Sequence, residues 1–170
     1  MSIYATPSDL LELFGASEIA GIARPDDIPP GIEIGGALLR LTITGGDRAG
    51  YTAQACEAAE RCLGRMQRVL AQVSARMDSY FSARYPLPLS SEQCASAPLV
   101  SICADLARFA MDDDSVDRAV RTRHDDAVRW LERIASGQAI LSGRADASAG
   151  GVGRVEATPG VVFFGAMDGY

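Results

Sequence analysis

Between residues 53 and 82 the chain carries an unbroken apolar stripe: Ala59, Leu63, Met66, Leu70, Val73, Met77 and Tyr80 recur at alternating steps of four and three. That spacing puts all seven on one face of an α-helix, and Thr52 stands where a capping side chain would. Thirty residues rising 1.5 Å each make a rod of about 45 Å. A compact globule of this chain length is only about 40 Å across. The stripe therefore predicts an elongated subunit built on one long helix, with Gly64 its weakest point. Three heptads in a multi-helix chain serve internal packing more often than a coiled-coil dimer.

Shorter helical signals flank it. Thr6-Pro7-Ser8-Asp9 opens a helix, with Thr6 as cap, Pro7 at the first position and Asp9 near the positive end. Leu10, Leu11, Leu13 and Phe14 form its apolar face, Gly15 stops it, and a further turn follows at Ser17-Glu18-Ile19-Ala20. Another helix starts near Pro98, with Leu99, Cys103, Leu106 and Ala110 on one face and Ile102 and Phe109 beside it. The last covers 116–135. Asp112-Asp113-Asp114-Ser115 caps it, Val116, Val120, His124, Ala127, Leu131 and Ile134 line its inner side, and Gly137 ends it. Outward-facing i,i+4 pairs are Asp114–Arg118, Asp117–Arg121 and Asp125–Arg129. Between these helices, Tyr85-Pro86-Leu87-Pro88-Leu89 is extended, because each proline also excludes helical geometry from the residue before it.

Two segments break the helical pattern. Residues 24–51 hold Pro25, Pro29, Pro30, Gly35-Gly36 and Gly45-Gly46. Ile32-Glu33-Ile34 and Leu39-Arg40-Leu41-Thr42-Ile43-Thr44 alternate with period two across the first Gly-Gly, which predicts a β-hairpin. Its face of Leu39, Leu41 and Ile43 must rest on its own domain or on a neighbouring subunit, since a lone hairpin is barely stable. Residues 145–153 read as an Ala/Gly/Ser linker. Beyond it, Val161-Val162-Phe163-Phe164 and Tyr170 form either a docked edge strand, paired with the hairpin of the same subunit, or an arm that reaches a partner. The expected fold is mainly α: about four helices, one of them long, with a β-hairpin insertion and an extended C-terminal arm. The expected division is a helical domain over 1–142, including the 24–51 insertion, followed by linker and arm over 143–170.

Composition narrows the functions. With 48% apolar and 22% charged residues among 170, the chain has globular rather than disordered composition. Sixteen arginines, no lysine and 22 acidic residues give a net charge of −6, which argues against a general nucleic-acid binder. No run of about 18 apolar residues suggests a membrane span. Met1 to Phe14 lacks a basic leader and holds Asp9 and Glu12, so the protein is expected to be made and kept in a cytoplasm. Cys56, Cys62, Cys94 and Cys103 include no C-x-x-C pair and have only His124 to join them, so they read as small buried hydrophobes rather than zinc ligands or disulfides. His124 sits on an apolar stripe and reads as a packed ring; the Asp112–Asp114 run reads as a helix start rather than a cation site. With no nucleophile elbow, P-loop or H-E-x-x-H, the residues describe a non-enzymatic acidic helical protein, without cofactor or metal, whose two extensions are suited to contacts.

Several segments together resemble a known family. They are Tyr4-Ala5-Thr6 with Leu10 and Phe14-Gly15; Met77-Asp78-Ser79-Tyr80 leading to Arg84-Tyr85-Pro86-Leu87-Pro88-Leu89; Pro98-Leu99 with Cys103-Ala104-Asp105-Leu106-Ala107-Arg108; and His124 through Trp130-Leu131 to Gly137. This order resembles the Mu-like prophage gene-product-36 family of long-tailed phages, over residues 1–23 and 53–142. The resemblance implies a virion neck protein, a head–tail connector or head-completion adaptor. It would form a homo-oligomeric ring, twelve-fold to match a portal, between the portal protein and a tail-terminator or stopper protein. DNA would pass through the ring without specific binding, and no membrane is involved. Leu39, Leu41, Ile43, Val161, Val162, Phe163, Phe164 and Tyr170 would be the partner contacts; Tyr80, Arg84, Tyr85, Pro86, Leu87, Pro88, Leu89 and Trp130 form the structural signature. Two departures stand out: the family's first loop is usually short and polar, unlike 24–51, and an aromatic commonly stands where this chain has His124. The alternative from another class is a small cytoplasmic helical module that binds one regulatory partner.

Overall fold

The computed structural model describes residues 3–96, 98–112 and 117–141. Within them lie seven helices: α1 Pro7–Phe14, α2 Ala16–Ile22, α3 Gly36–Thr44, α4 Ala53–Phe81, α5 Ser91–Ser96, α6 Leu99–Met111 and α7 Arg118–Ser136. None of the described residues is in a strand. Mainly helical architecture is thus as expected, although the short helices α2, α3 and α5 bring the number above the four expected.

α4 is the frame. It runs unbroken through Gly64 for 29 residues, about 44 Å at helical rise. Thr52 caps it, its side chain accepting from the Ala55 N–H at 3.2 Å. α1, α3, α6 and α7 all pack against it. Its inner face holds Cys62, Met66, Leu70, Val73, Met77 and Phe81. Leu63 and Tyr80, expected within the stripe, are half-buried at its margin. The face is rotated because α3 takes the N-terminal half: Leu38 packs on Ala55 and Ala59 in a small apolar cluster beside the main core.

α1 forms as its sequence dictates. The Thr6 hydroxyl accepts from the Asp9 N–H at 3.3 Å while the Asp9 carboxylate accepts from the Thr6 N–H at 2.6 Å, a reciprocal capping box. Just before it, Tyr4 is tied to α4. Its N–H donates to the Ser74 hydroxyl at 3.3 Å, its ring meets Phe81 edge-on at 5.7 Å, and its hydroxyl donates to Asp78. Ser74 is fully buried, with its oxygen 3.8 Å from the Cys103 sulfur of α6. A buried hydroxyl needs such partners, since an unpaired one costs about 1–3 kcal/mol.

The hairpin expected over 32–44 is not present; residues 36–44 are helix α3. The two Gly-Gly pairs are helix boundaries rather than a strand turn: Gly35 precedes the first turn and Gly45 caps the last. Two features favour the helix over the period-two reading. Leu38 and Leu39 are both fully buried, as adjacent helical positions facing two neighbours allow, whereas adjacent strand positions point to opposite faces. The threonines bond locally as well: Thr42 Oγ1 donates to the Leu38 carbonyl at 2.9 Å and Thr44 Oγ1 to the Arg40 carbonyl at 3.0 Å. At Gly36 only a glycine fits, because a Cβ would lie 2.6 Å from the Ser17 backbone nitrogen. That close approach seats α3 against α2 and makes the 24–51 insertion part of the body.

In α6, Leu99, Ile102, Cys103 and Leu106 are buried as expected, while Ala110 is exposed and Met111 takes its place. In α7, Val120, Ala127, Leu131 and Ile134 face inward. Val116 and the 113–115 part of the expected cap lie outside the described residues, and Asp117 occupies the cap position. Arg129 pairs with Asp126 at 2.9 Å instead of Asp125, which is drawn to the His124 ring nitrogen at 3.0 Å.

The α4 assignment has a direct test. Leu70 is 2% exposed, so Leu70→Asp buries an unpaired charge at a cost of several kcal/mol, against the roughly 5–15 kcal/mol that holds a domain together. The variant is expected to be insoluble or unfolded by circular dichroism. Arg68→Asp, on the outer face, is expected to change stability by less than about 0.5 kcal/mol. Equal behaviour of the two variants would contradict the packing described.

Candidate functional site

The signature residues converge where α4 ends. Beyond Phe81 the chain makes a tight turn, with the N–H groups of Arg84 and Tyr85 both donating to the Phe81 carbonyl at 2.9 Å. The prolines then carry an extended strap, with the Leu87–Pro88 peptide cis. Tyr85 and Leu89 turn into the core, whereas Pro86, Leu87 and Pro88 face outward. Tyr85 is 4% exposed, and its hydroxyl oxygen accepts from the Leu141 N–H at 2.9 Å across 56 residues of sequence. Arg84 lies over the C-terminal end of α7, where Gly137 adopts φ +79°. A Cβ on Gly137 would sit within 3 Å of three guanidinium atoms. Tyr80 and Trp130 are half-buried against the core. The Tyr85–Leu141 bond thus ties the strap after α4 to the segment after α7.

A second polar centre escaped the sequence reading. Arg65, on the flank of α4, donates to the carbonyls of Arg24 at 2.8 Å, Met111 at 3.2 Å and Ile22 at 3.4 Å. Ile22 ends α2 and Met111 ends α6, so one cation satisfies carbonyls at two helix C-termini. Arg24 does the same for the proline-rich loop, donating to Ile32 at 2.7 Å, Pro29 at 2.9 Å and Ile28 at 3.3 Å. Arg108 pairs with Glu18 and lies 4.9 Å above the Phe14 ring, joining α6 to α1 and α2. No local pattern reveals these roles, because each depends on which helix ends meet.

The titratable groups are committed to packing. His124 stacks on Phe109 with ring centroids 3.9 Å apart and planes at 23°. Burial pushes the Cys103 thiol up to about 11, and raises Cys62 despite the opposing pull of Arg24, Arg65 and Arg61. Burial also raises the Asp105 carboxyl, partly offset by Arg123 and Arg108. A groove of about 430 Å³ between the 25–27 loop and α4 is lined by Asp27, Glu57, Glu60, Arg61 and Arg68. Within it Arg61 pairs with Asp27, and Glu60 pairs with Arg48 outside the lining. Among the described residues no three His, Cys, Asp or Glu side chains converge as a metal site would require, and no helix is long and apolar enough to cross a membrane.

Three of the expected contact residues fall among the described residues. Leu39 is wholly inside the subunit's own core; Leu41 and Ile43 are half-buried on α3. Val161, Val162, Phe163, Phe164 and Tyr170 lie outside the described residues.

Comparison with known proteins agrees with the signature. Residues 4–157 match the family model described as bacteriophage Mu, Gp36. The Mu-like prophage FluMu protein gp36 of Haemophilus influenzae is 34% identical over 82 residues, covering 48% of this chain and 55% of that relative. The match thus spans about half the length of that curated relative.

Thiol reactivity reports on this packing, because the thiolate is the reactive form. At pH 8, Cys56 and Cys94, both half-buried, are expected to react with a maleimide well before Cys62 and Cys103 in the native protein. All four should equalise in denaturant. Native labelling of Cys103 as fast as Cys56 would contradict its burial.

Proposed function

The chain belongs to the bacteriophage Mu Gp36 family, and from that premise we propose that it is a structural protein of the virion neck, a head–tail connector or head-completion adaptor. It assembles as a ring of identical copies between the portal and the tail-terminator or stopper protein, and DNA passes through it. The observation that carries this reading is where the signature residues go. Tyr85 bonds the Leu141 N–H beyond α7, Arg84 lies beside Gly137 and Leu89 is buried in the core. None of the three lines the groove between the 25–27 loop and α4. Proteins of this kind are defined by shape and by what their extensions touch.

The chemistry of the chain supports the same role. A net charge of −6 keeps genome phosphates from adhering to a conduit wall, the reverse of the attraction a basic binder exploits. Beyond Leu141 the chain continues for 29 residues that include Val161-Val162-Phe163-Phe164. With 36–44 helical, the sheet edge expected to receive that segment within its own subunit is gone. That favours an arm that adds to a neighbouring protein.

Truncation after Gly143 tests the proposal. The shortened chain is expected to melt within a few degrees of the full-length protein while failing to enter particles in a complementation assay. A truncated chain that enters particles normally would contradict the arm. One that melts far lower would show the segment to be part of the subunit core.

A further inference from the structure

The residues that follow α7 are held unusually firmly for the end of a helical body. α7 stops at Ser136, and Gly137 turns the chain through a left-handed conformation. The N–H groups of Gln138 and Ala139 both return to the Arg133 carbonyl, at 2.9 and 3.1 Å, which closes the helix end. Ile140 is then 69% exposed, whereas Leu141 turns back and is 2% exposed within the main core. Its N–H meets the Tyr85 hydroxyl at 2.9 Å in a buried setting. Above the turn, the Arg84 guanidinium fills the volume that a Cβ of residue 137 would need.

We infer that Arg84 and Tyr85 form a clamp that locks residues 137–141 onto the body. Tyr85 is the anchor. Its ring is buried, and its hydroxyl is the partner of the one backbone N–H that would otherwise be stranded inside as Leu141 turns inward. Arg84 is the cover. A cation over the C-terminal end of a helix is favourably placed against the carbonyl end of the dipole. Gly137 suits the site through its positive φ, and a side chain there would have to displace the Arg84 guanidinium. Because the two clamp residues are neighbours on a strap tied to the Phe81 carbonyl, residues 137–141 are registered to the end of α4 rather than to α7 alone. The clamp rests on residues 81–89 and 137–141 and stands whatever partner the rest of the chain meets.

Amide hydrogen exchange on the full chain reads the clamp directly. In the wild-type protein the Leu141 amide is expected to exchange at least tenfold more slowly than its unstructured rate. In Tyr85→Phe, which keeps the ring and removes only the hydroxyl, it should speed up at least tenfold while the amides of α4 and α6 stay protected. An unprotected Leu141 amide in the wild type, or unchanged exchange in Tyr85→Phe, would overturn the anchor. Arg84 is read by a double-mutant cycle on melting temperature. Gly137→Ala is expected to lower it less in an Arg84→Ala background than in the wild type, because the guanidinium no longer competes for the space. Equal losses in the two backgrounds would overturn the cover.

Discussion

Everything in this molecule depends on the continuous apolar face of α4. A 29-residue helix cannot bury such a face by itself, and no single partner here is long enough to cover it. Four other helices share the task. Each fully buried side chain along it, such as Met66, Leu70 or Met77, contributes about 1.5–3 kcal/mol relative to exposure. Those contributions matter individually because net domain stability is of the same order as a few of them.

Covering one long face with several short elements creates a second problem. Many helix ends fall close to the core, and each leaves unpaired carbonyls or N–H groups. Arginine is the common answer here. Arg65 serves the ends of α2 and α6, and Arg24 serves the proline-rich loop. The guanidinium suits this work because its several fixed donors reach more than one carbonyl and it stays charged at any working pH. The complete absence of lysine is compatible with this pattern, although nothing in the structure explains why no surface position uses it.

What could be read from the sequence was whatever depends on local order. The Thr6 capping box, the extent of α4, the non-helical Tyr85–Leu89 strap and the stop at Gly137 all follow from residues within a few positions of each other. The 36–44 helix was misjudged for a physical reason. Nine residues rich in leucine, isoleucine and threonine satisfy both periods, and the decision rests on Leu38 meeting Ala55 and Ala59, a contact invisible before α4 is placed. The same holds for the clamp. Tyr85 and Leu141 are 56 residues apart, and only the return of α7 beside the end of α4 makes them partners. The signature was visible as a motif, but its role was not.

The central claim is that this body is a neck subunit whose work is mechanical. Cryo-electron microscopy of purified particles, with and without the gene for this chain, tests that most directly. The account predicts a ring of density between portal and tail into which the α4 rod and its surrounding helices fit, and its loss, with heads and tails unjoined, when the chain is missing. Joined particles without the chain, or density for it located elsewhere in the particle, would contradict it.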